Sequence, residues 1–323
     1  MLRRLAMTDA PEPLRLRLVR IEYAAAGTHL FEFRRCDGAP LPPYAPGAHV
    51  DLHLQNGLIR QYSLVDPADD GVRSYVVGIK RDLKSRGGSV AAHEHLHVGD
   101  VVGVSAPRNH FALDEQAEDW VLIAGGFGIT PIACMVQRLR VLGRSWALHY
   151  GVRSRAEAAL LDRLQGAGLH LHVDDEQGGA RLDVEAIVAA LPASTTAYCC
   201  GPQPMIDAFE AAARRRPELR WFVEHFAAAA PVATDGGFSV RLAASGRSVV
   251  VPPGRTILEA LREAGLRVPS SCEQGICGTC ETTVLAGTPD HRDSLLSDEE
   301  KRSNKVMMIC CSGSLGPELV LDL

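Results

Sequence analysis

The stretch "SSCEQGICGTC", residues 270–280, places Cys272, Cys277 and Cys280 within nine positions. The spacing C-x4-C-x2-C, followed by a distant fourth cysteine, is that of a plant-type [2Fe-2S] cluster. Glycines between the thiols allow backbone N–H groups to turn toward an anionic centre. Zinc sites more often carry a C-x2-C pair on each side of the metal. The stretch therefore predicts an iron–sulfur site, with a zinc knuckle as the alternative.

The fourth ligand is expected in "MMICCS", where Cys310 and Cys311 are adjacent. If this segment is a strand, successive side chains face opposite ways, so only one of the two thiols can reach the cluster. We assign Cys310 and expect Cys311 to be packed or exposed elsewhere. The predicted metal ligands are thus Cys272, Cys277, Cys280 and Cys310.

Length and composition indicate a soluble protein of two or three domains. The chain has 323 residues, 46% of them hydrophobic and 23% charged, which is typical of globular proteins. A net charge of -5 without a basic block argues against nucleic acid as a partner. The sequence contains no signal-peptide pattern and no run of about 18 apolar residues. We therefore expect a cytoplasmic protein that binds no membrane and keeps its cysteines reduced.

The pattern of apolar and turn-forming residues changes twice along the chain. Short apolar runs separated by Gly, Pro and Asp predict an antiparallel barrel or sandwich over residues 12–115. Strands that alternate with helices predict a doubly wound parallel α/β sheet over residues 116–226. Small, turn-rich residues 227–236 are predicted to form a linker. A hairpin, a helix and the cysteine loop make up the last unit, residues 237–323.

Two segments of the first domain suit a flavin phosphate. A cluster moves one electron, so a hydride donor requires a flavin as converter. In "RQYSL", residues 60–64, Arg60 offers a guanidinium, and the Gly-Gly-Ser turn of "KRDLKSRGGS", residues 80–89, offers N–H donors. Tyr62 is placed to lie against the isoalloxazine ring and Ser63 to bind its N5. The alternative is an ordinary half-buried strand.

Two strand-to-helix turns of the second domain suit a dinucleotide. "LIAGGFGITP", residues 122–131, is a strand, a glycine-rich turn and a helix start with Thr130 at or near the N-cap. Its glycines allow a pyrophosphate to approach the helix N-terminus. "YCCGPQPMIDAF", residues 198–209, is a second such turn, at the carboxyl edge where open α/β sheets bind ligands.

Several segments occur in the order found in the phthalate dioxygenase reductase family: "RQYSL", "KRD…RGGS", "AGGFGITP", "YCCGP", "VPSSCEQGICGTC", "DHRDSLLSDEE" and "ELVLDL". The chain resembles that family from about residue 14 to the C-terminus. The resemblance implies a multidomain fold: an antiparallel β-barrel for FMN, an α/β domain for NAD, and a C-terminal α+β plant-type ferredoxin domain of the β-grasp type.

The resemblance also implies the function. Hydride passes from NADH to FMN, single electrons pass to the [2Fe-2S] cluster, and the acceptor is a Rieske-type non-haem iron oxygenase such as an aromatic dioxygenase or an O-demethylase. A cytochrome P450 or a carnitine-type monooxygenase is an alternative acceptor. A zinc-stabilised binding protein is the alternative from another class. We expect a monomer.

The resemblance implies two sets of cofactor residues. The FMN set is Arg60, Gln61, Tyr62, Ser63, Lys80, Gly87, Gly88, Ser89, Thr130 and Phe226. The NAD set is Gly125, Gly126, Gly128, Thr130, Pro131, Cys200, Gly201 and Pro202. Within these sets, Ser63 and Cys200 are predicted to shape the contact between nicotinamide and flavin during catalysis.

The choice between NADH and NADPH depends on charges after two strands. Asp174 and Asp175 would accept hydrogen bonds from a ribose diol and repel a 2′-phosphate, whereas Arg153 and Arg155 would attract one. The resemblance favours NADH. Glu224 is expected to be an exposed helix or strand residue, and an influence on flavin protonation is the alternative.

Overall fold

The computed structural model describes residues 12–55, 57–68, 71–83, 87–226 and 231–323. Its contacts divide the chain into two compact units, Pro13–Phe226 and a second unit that contains Ala227–Leu323. Three sequence predictions fall partly outside the described residues. These are the N-terminal stretch 1–11, residues 84–86 of the phosphate turn and residues 227–230 of the linker.

The first unit contains a six-stranded antiparallel sheet in the order β4-β3-β6-β1-β2-β5. Its strands are β1 (Leu14–Ala25), β2 (Thr28–Arg35), β3 (His49–His53), β4 (Ile59–Ser63), β5 (Tyr75–Lys80) and β6 (Val101–Val104). A bridge between Leu64 and Val77 joins the segment after β4 to β5 and closes the sheet toward a barrel. Alternating side chains fill the interior, among them Leu16, Leu18 and Phe33. Helix α1 (Gly88–His95) follows β5.

The same unit contains a five-stranded parallel sheet in the order β11-β10-β7-β8-β9. Its strands are β7 (Asp119–Gly125), β8 (Trp146–Val152), β9 (Leu169–Val173), β10 (Thr195–Cys200) and β11 (Arg220–Glu224). Its helices are α2 (Ile129–Val141), α3 (Leu161–Leu164), α4 (Val184–Ala190) and α5 (Gln203–Arg214). Leu122 and Ile123 of β7 enter two different hydrophobic clusters. The sheet is therefore covered on both faces, as parallel sheets require.

The second unit is built on a mixed sheet in the order β13-β12-β18-β14-β16. Its strands are β12 (Phe238–Leu242), β13 (Ser248–Val251), β14 (Glu281–Ala286), β16 (Val306–Met308) and β18 (Glu318–Leu321), with a separate short pair, β15 (Pro289–Asp290) and β17 (Gly313–Ser314). Strands β12 and β18 are parallel. Helix α6 (Ile257–Glu263) begins with a capping box between Thr256 and Glu259. Helix α7 (Asp298–Ser303) follows β15.

These sheets match the predicted architecture of an antiparallel barrel, a parallel α/β sheet and a C-terminal α+β unit. The carboxyl ends of β7 and β10 lie side by side, because these two strands pair in parallel with Cys200 opposite Ala124. This pairing brings the two glycine-rich turns to one edge of the sheet. Across the described ranges, every helix is too short or too polar to cross a membrane.

Candidate functional site

Four cysteine thiols converge in the second unit. The side chains of Cys272, Cys277, Cys280 and Cys310 are all buried. The Cys272 thiol interacts with those of Cys277 and Cys310, and Cys310 also interacts with Cys280. Hydrogen bonding to Cys272, together with burial, raises the pKa of the Cys277 thiol. A bound metal ion would deprotonate these thiols.

The cysteines contact one another in pairs. A [2Fe-2S] cluster distributes four ligands over two irons, so pairwise contacts between the cysteines suit it. Backbone N–H groups of Gln274 and Thr279 point at the sulfurs of Cys272 and Cys277, at 3.3 and 3.5 Å. The donor set therefore fits a cluster.

The expectation that "MMICCS" continues as a strand is wrong, because β16 ends at Met308 and residues 309–311 form a turn. The two adjacent thiols contact each other, but their other contacts differ. Cys310 contacts Cys272 and Cys280, whereas the Cys311 Sγ lies 3.6 Å from the Met308 oxygen and against Gly275. Cys311 is therefore packed behind the cysteine loop, while Cys310 faces the other ligands.

At the barrel, Arg60 lies on the N-terminus of helix α1. A Cβ on Gly88 would lie 2.5 Å from the Arg60 Nε, so only glycine allows this approach. Gly87 precedes the helix with a left-handed backbone, φ 81°. Ser89 Oγ accepts the N–H of Asp82 at 3.1 Å. The predicted phosphate residues Arg60, Gly87, Gly88 and Ser89 are thus brought together.

Lys80 forms an ion pair within the protein. Its Nζ lies 2.8 Å from Glu157 Oε2, in the turn after β8. The ammonium charge of Lys80 therefore has a carboxylate partner within the protein. The structure shows no contact between Lys80 and the Arg60 cluster among the residues it describes.

Gln61, Tyr62 and Ser63 lie on β4 opposite β3, with Ser63 paired to His49. Burial raises the pKa of Tyr62 to about 12, and the Arg60 charge opposes this rise. The Gln61 Nε2 is buried and has no hydrogen-bond partner among the described residues. Buried polar atoms are normally satisfied, so this amide fits a site that receives a polar ligand.

The two glycine-rich turns of the parallel sheet touch each other. A Cβ on Gly128 would collide with the Cys200 carbonyl, and a Cβ on Gly125 would lie 2.7 Å from Pro202 Cδ. Helix α2 begins at Ile129 after a 3-10 turn over Gly126–Gly128. Thr130 therefore lies in the first helical turn and not at the N-cap, and Pro131 follows it there.

Glu224 ends edge strand β11 directly beside Cys200. Although part of the residue is exposed, its Oε2 is enclosed and has no partner among the described residues. Burial raises the pKa of Glu224 to about 8. Burial also raises the pKa of the Cys200 thiol, and the Glu224 charge adds to that effect. The expectation of an exposed glutamate is therefore wrong.

Phe127 is a site residue that the sequence reasoning missed. Its ring centroid lies 6.2 Å from that of Phe226. A Cβ on Gly78 of strand β5 would meet Thr130 Cγ2 at 2.9 Å and Phe127 Cε2 at 3.5 Å. The barrel strand and the first glycine-rich turn therefore meet at these side chains. The only signal was the position of Phe127 inside the glycine turn.

Some of the charged side chains that were expected to choose between NADH and NADPH form ion pairs within the protein. Arg155 forms a two-point ion pair with Glu176, at 2.8 and 2.7 Å. Asp174 lies 3.5 Å from His172 Nε2. The sequence reasoning missed Glu176, which pairs with Arg155.

The fold and these clusters define a reductase-type unit combined with a ferredoxin-like unit. The family model described as "2Fe-2S iron-sulfur cluster binding domain" matches residues 240–313. Phenoxybenzoate dioxygenase subunit beta of Ectopseudomonas oleovorans is 52% identical over 313 residues, covering 96% of this chain and 98% of that protein.

Two solved structures are similar over nearly the whole chain. Phthalate dioxygenase reductase, with a modular structure for electron transfer from pyridine nucleotides to [2Fe-2S], matches with a TM-score of 0.73 and 38% identity, covering 96% of this chain and 98% of that one. A type IV self-sufficient cytochrome P450 monooxygenase matches with a TM-score of 0.84 and 38% identity, covering 97% of this chain and 41% of that longer one. The chain belongs to the phthalate dioxygenase reductase family. The predicted family, fold class and oxidoreductase class are confirmed.

Proposed function

We propose that this chain is the reductase component of an oxygenase system, which takes hydride from NADH onto FMN and passes single electrons through a [2Fe-2S] cluster to a Rieske-type non-haem iron oxygenase. The observation that carries the proposal is the convergence of four buried cysteine thiols in a unit that accompanies a barrel and a parallel sheet. FMN, NADH and the cluster are the cofactors of the family. Aromatic dioxygenases and O-demethylases are the expected oxygenases.

Cys272, Cys277, Cys280 and Cys310 are the residues that would hold the cluster. The contacts of Cys310 with Cys272 and Cys280 support its choice over Cys311. The N–H groups of Gln274 and Thr279 donate toward ligand sulfurs and stabilise their negative charge. Burial of the thiols excludes water from the metal.

The FMN residues lie along β4 and the start of α1. Arg60 and the N–H groups of the first turn of α1 supply the positive charge and donors for a phosphate. The Gln61 amide would donate to a polar atom of the ring system, and Ser63 and Tyr62 complete the predicted contact. FMN supplies the conversion of hydride into single electrons.

The NADH residues lie at the carboxyl edge of the parallel sheet. Gly125, Gly126 and Gly128 leave room for a pyrophosphate at the N-terminus of α2. Asp174 and Asp175 would accept hydrogen bonds from a ribose diol, and the pairing of Arg155 with Glu176 weakens the attraction of Arg155 for a 2′-phosphate, which favours NADH.

Cys200 and Glu224 provide the chemistry at the point of hydride transfer. With a pKa of about 8, Glu224 keeps a proton at neutral pH and places no full charge beside Cys200. Loss of hydride leaves a positive charge on nicotinamide, which ionised Glu224 would stabilise. We therefore expect flavin reduction to accelerate as pH rises through about 8.

A cytochrome P450 is the second candidate acceptor. The solved self-sufficient P450 monooxygenase contains a segment similar to 97% of this chain. Reconstitution of the purified reductase with each acceptor decides between them. The Rieske-type oxygenase is supported if it alone supports product formation at the expense of NADH.

The electron route is tested by Cys277→Ser. We expect this variant to retain most of the NADH-driven bleaching of the flavin band, because the flavin lies in the other unit. Reduction of a one-electron protein acceptor should be lost, because the cluster lacks a ligand. Stopped-flow spectroscopy measures both steps.

Cys36→Ser is the matched control, since Cys36 is an exposed thiol of the first unit. It should retain both reactions. Normal reduction of the acceptor by Cys277→Ser would contradict the proposed route. Cytoplasmic location, a monomeric state and the absence of nucleic-acid and membrane partners stay predictions of the sequence.

A further inference from the structure

The segment 290–300, "DHRDSLLSDEE", packs against the cysteine site. The Ser294 N–H donates to the Gly275 oxygen at 3.0 Å, inside the loop that carries three cysteines. The Arg292 N–H donates to Ser312 Oγ at 3.1 Å, just after the turn that carries Cys310. One segment therefore ties both parts of the cysteine framework together, a role that no sequence pattern revealed.

Asp293 makes the main side-chain contacts of this segment. Its side chain is fully buried, and its Oδ2 accepts the N–H groups of Leu295 and Leu296 at 3.2 and 2.8 Å. A Cβ on Gly275 would lie 2.9 Å from the Asp293 Cα, so the aspartate backbone packs directly on the cysteine loop. Lys301 Nζ donates a hydrogen bond to the backbone carbonyl oxygen of Asp293 at 2.6 Å and lies 3.9 Å from the carboxylate Oδ2.

His291 is a third ionisable group beside this pair. His291 Nδ1 lies 3.7 Å from Asp293 Oδ1, and neither atom has a hydrogen-bond partner among the described residues. Asp293 and the Cys311 thiol pack against the same position of Gly275 in the cysteine loop, and Lys301 contacts Asp293. Because Cys311 is next to the predicted ligand Cys310, the carboxylate and the ammonium lie near the metal site.

We propose that Asp293 and Lys301 are positioning residues whose opposite charges set the reduction potential of the cluster. The proposal rests on the proposed function, because it requires a cluster held by the four cysteines. Reduction adds one electron to the cluster. Asp293 disfavours the added negative charge and Lys301 favours it, and the burial of the Asp293 side chain strengthens its effect by excluding water.

The test is a redox titration of the full-length, cluster-loaded protein at fixed pH, followed by the electron paramagnetic resonance of the reduced cluster. Asp293→Asn keeps an acceptor oxygen for Leu296 but removes the charge. We expect it to favour reduction by about tenfold, which is a rise of about 59 mV for one electron. Lys301→Met removes the positive charge and should lower the potential by a similar amount. Asp298→Asn, at an exposed acid on α7, is the control and should cause little change.

Opposite shifts in variants that keep their cluster content and visible spectrum support the proposal. Equal potentials, or shifts in the same direction, would overturn it, because a purely structural role does not reverse sign with charge. If Asp293→Asn fails to retain the cluster, Lys301→Met and Lys301→Gln decide the matter by the sign of their shift. A wild-type protein without a cluster would instead refute the proposed function.

Discussion

Replacing Glu224 with Gln should stabilise the protein by an amount that grows with pH. Burial raises the pKa of Glu224 from 4.5 to about 8. Between these values the unfolded chain has released the proton while the native carboxyl retains it, so native stability falls as pH rises. At 1.36 kcal/mol per pH unit, the penalty reaches about 3 kcal/mol at pH 7 and up to about 5 kcal/mol at pH 8, and then stays constant.

Glutamine has nearly the same shape and never ionises, so Glu224→Gln should avoid this penalty. For a unit of this size, about 3 kcal/mol corresponds to roughly 6 to 12 °C in Tm. Thermal unfolding of both proteins from pH 5 to 9, with saturating FMN, measures the difference. Glu185→Gln is the control, because Glu185 is exposed and paired with Arg215. A Tm difference that does not change with pH would refute the reasoning.

Three further substitutions test individual sites. Arg60→Ala should lose FMN during gel filtration because the phosphate loses its cation, and unchanged flavin content would exclude that role. Cys310→Ala should lose the iron–sulfur absorbance while Cys311→Ala keeps it, and the reverse result would move the fourth ligand to Cys311. Gly128→Ala should raise the KM for NADH strongly, since its Cβ would collide with the Cys200 carbonyl; steady-state kinetics with normal FMN content would check this, and an unchanged KM would count against the glycine contact.

Local patterns in the sequence predicted what local chemistry determines. The cysteine spacing, the helix α6 and the strand-to-helix turns all depend on neighbouring residues, and the structure contains each of them. The contact between the two glycine-rich turns follows from the pairing of β7 with β10. The general rule for parallel sheets predicted only that both turns lie at the carboxyl edge, and it did not predict that these two strands are neighbours.

Features that depend on distant segments were not predicted. The Oε2 of Glu224 is enclosed where β11 pairs with β10, and the sequence neighbours of Glu224 carry no sign of this. Phe127 belongs to the site because Gly78 of β5 and the Phe226 ring lie close to its ring, although both are distant in sequence. Asp293 lies beside the cysteine loop because the chain returns there after β14. Periodicity describes one element at a time and cannot show which elements meet.

The central claim is that four thiolates hold a [2Fe-2S] cluster that receives electrons from NADH through FMN. The most direct measurement combines iron and acid-labile sulfide analysis of anaerobically purified protein with electron paramagnetic resonance after addition of NADH. We predict about two irons and two sulfides per chain and a reduced-cluster signal that requires bound FMN. Protein that contains zinc, or neither iron nor labile sulfide, would contradict the account.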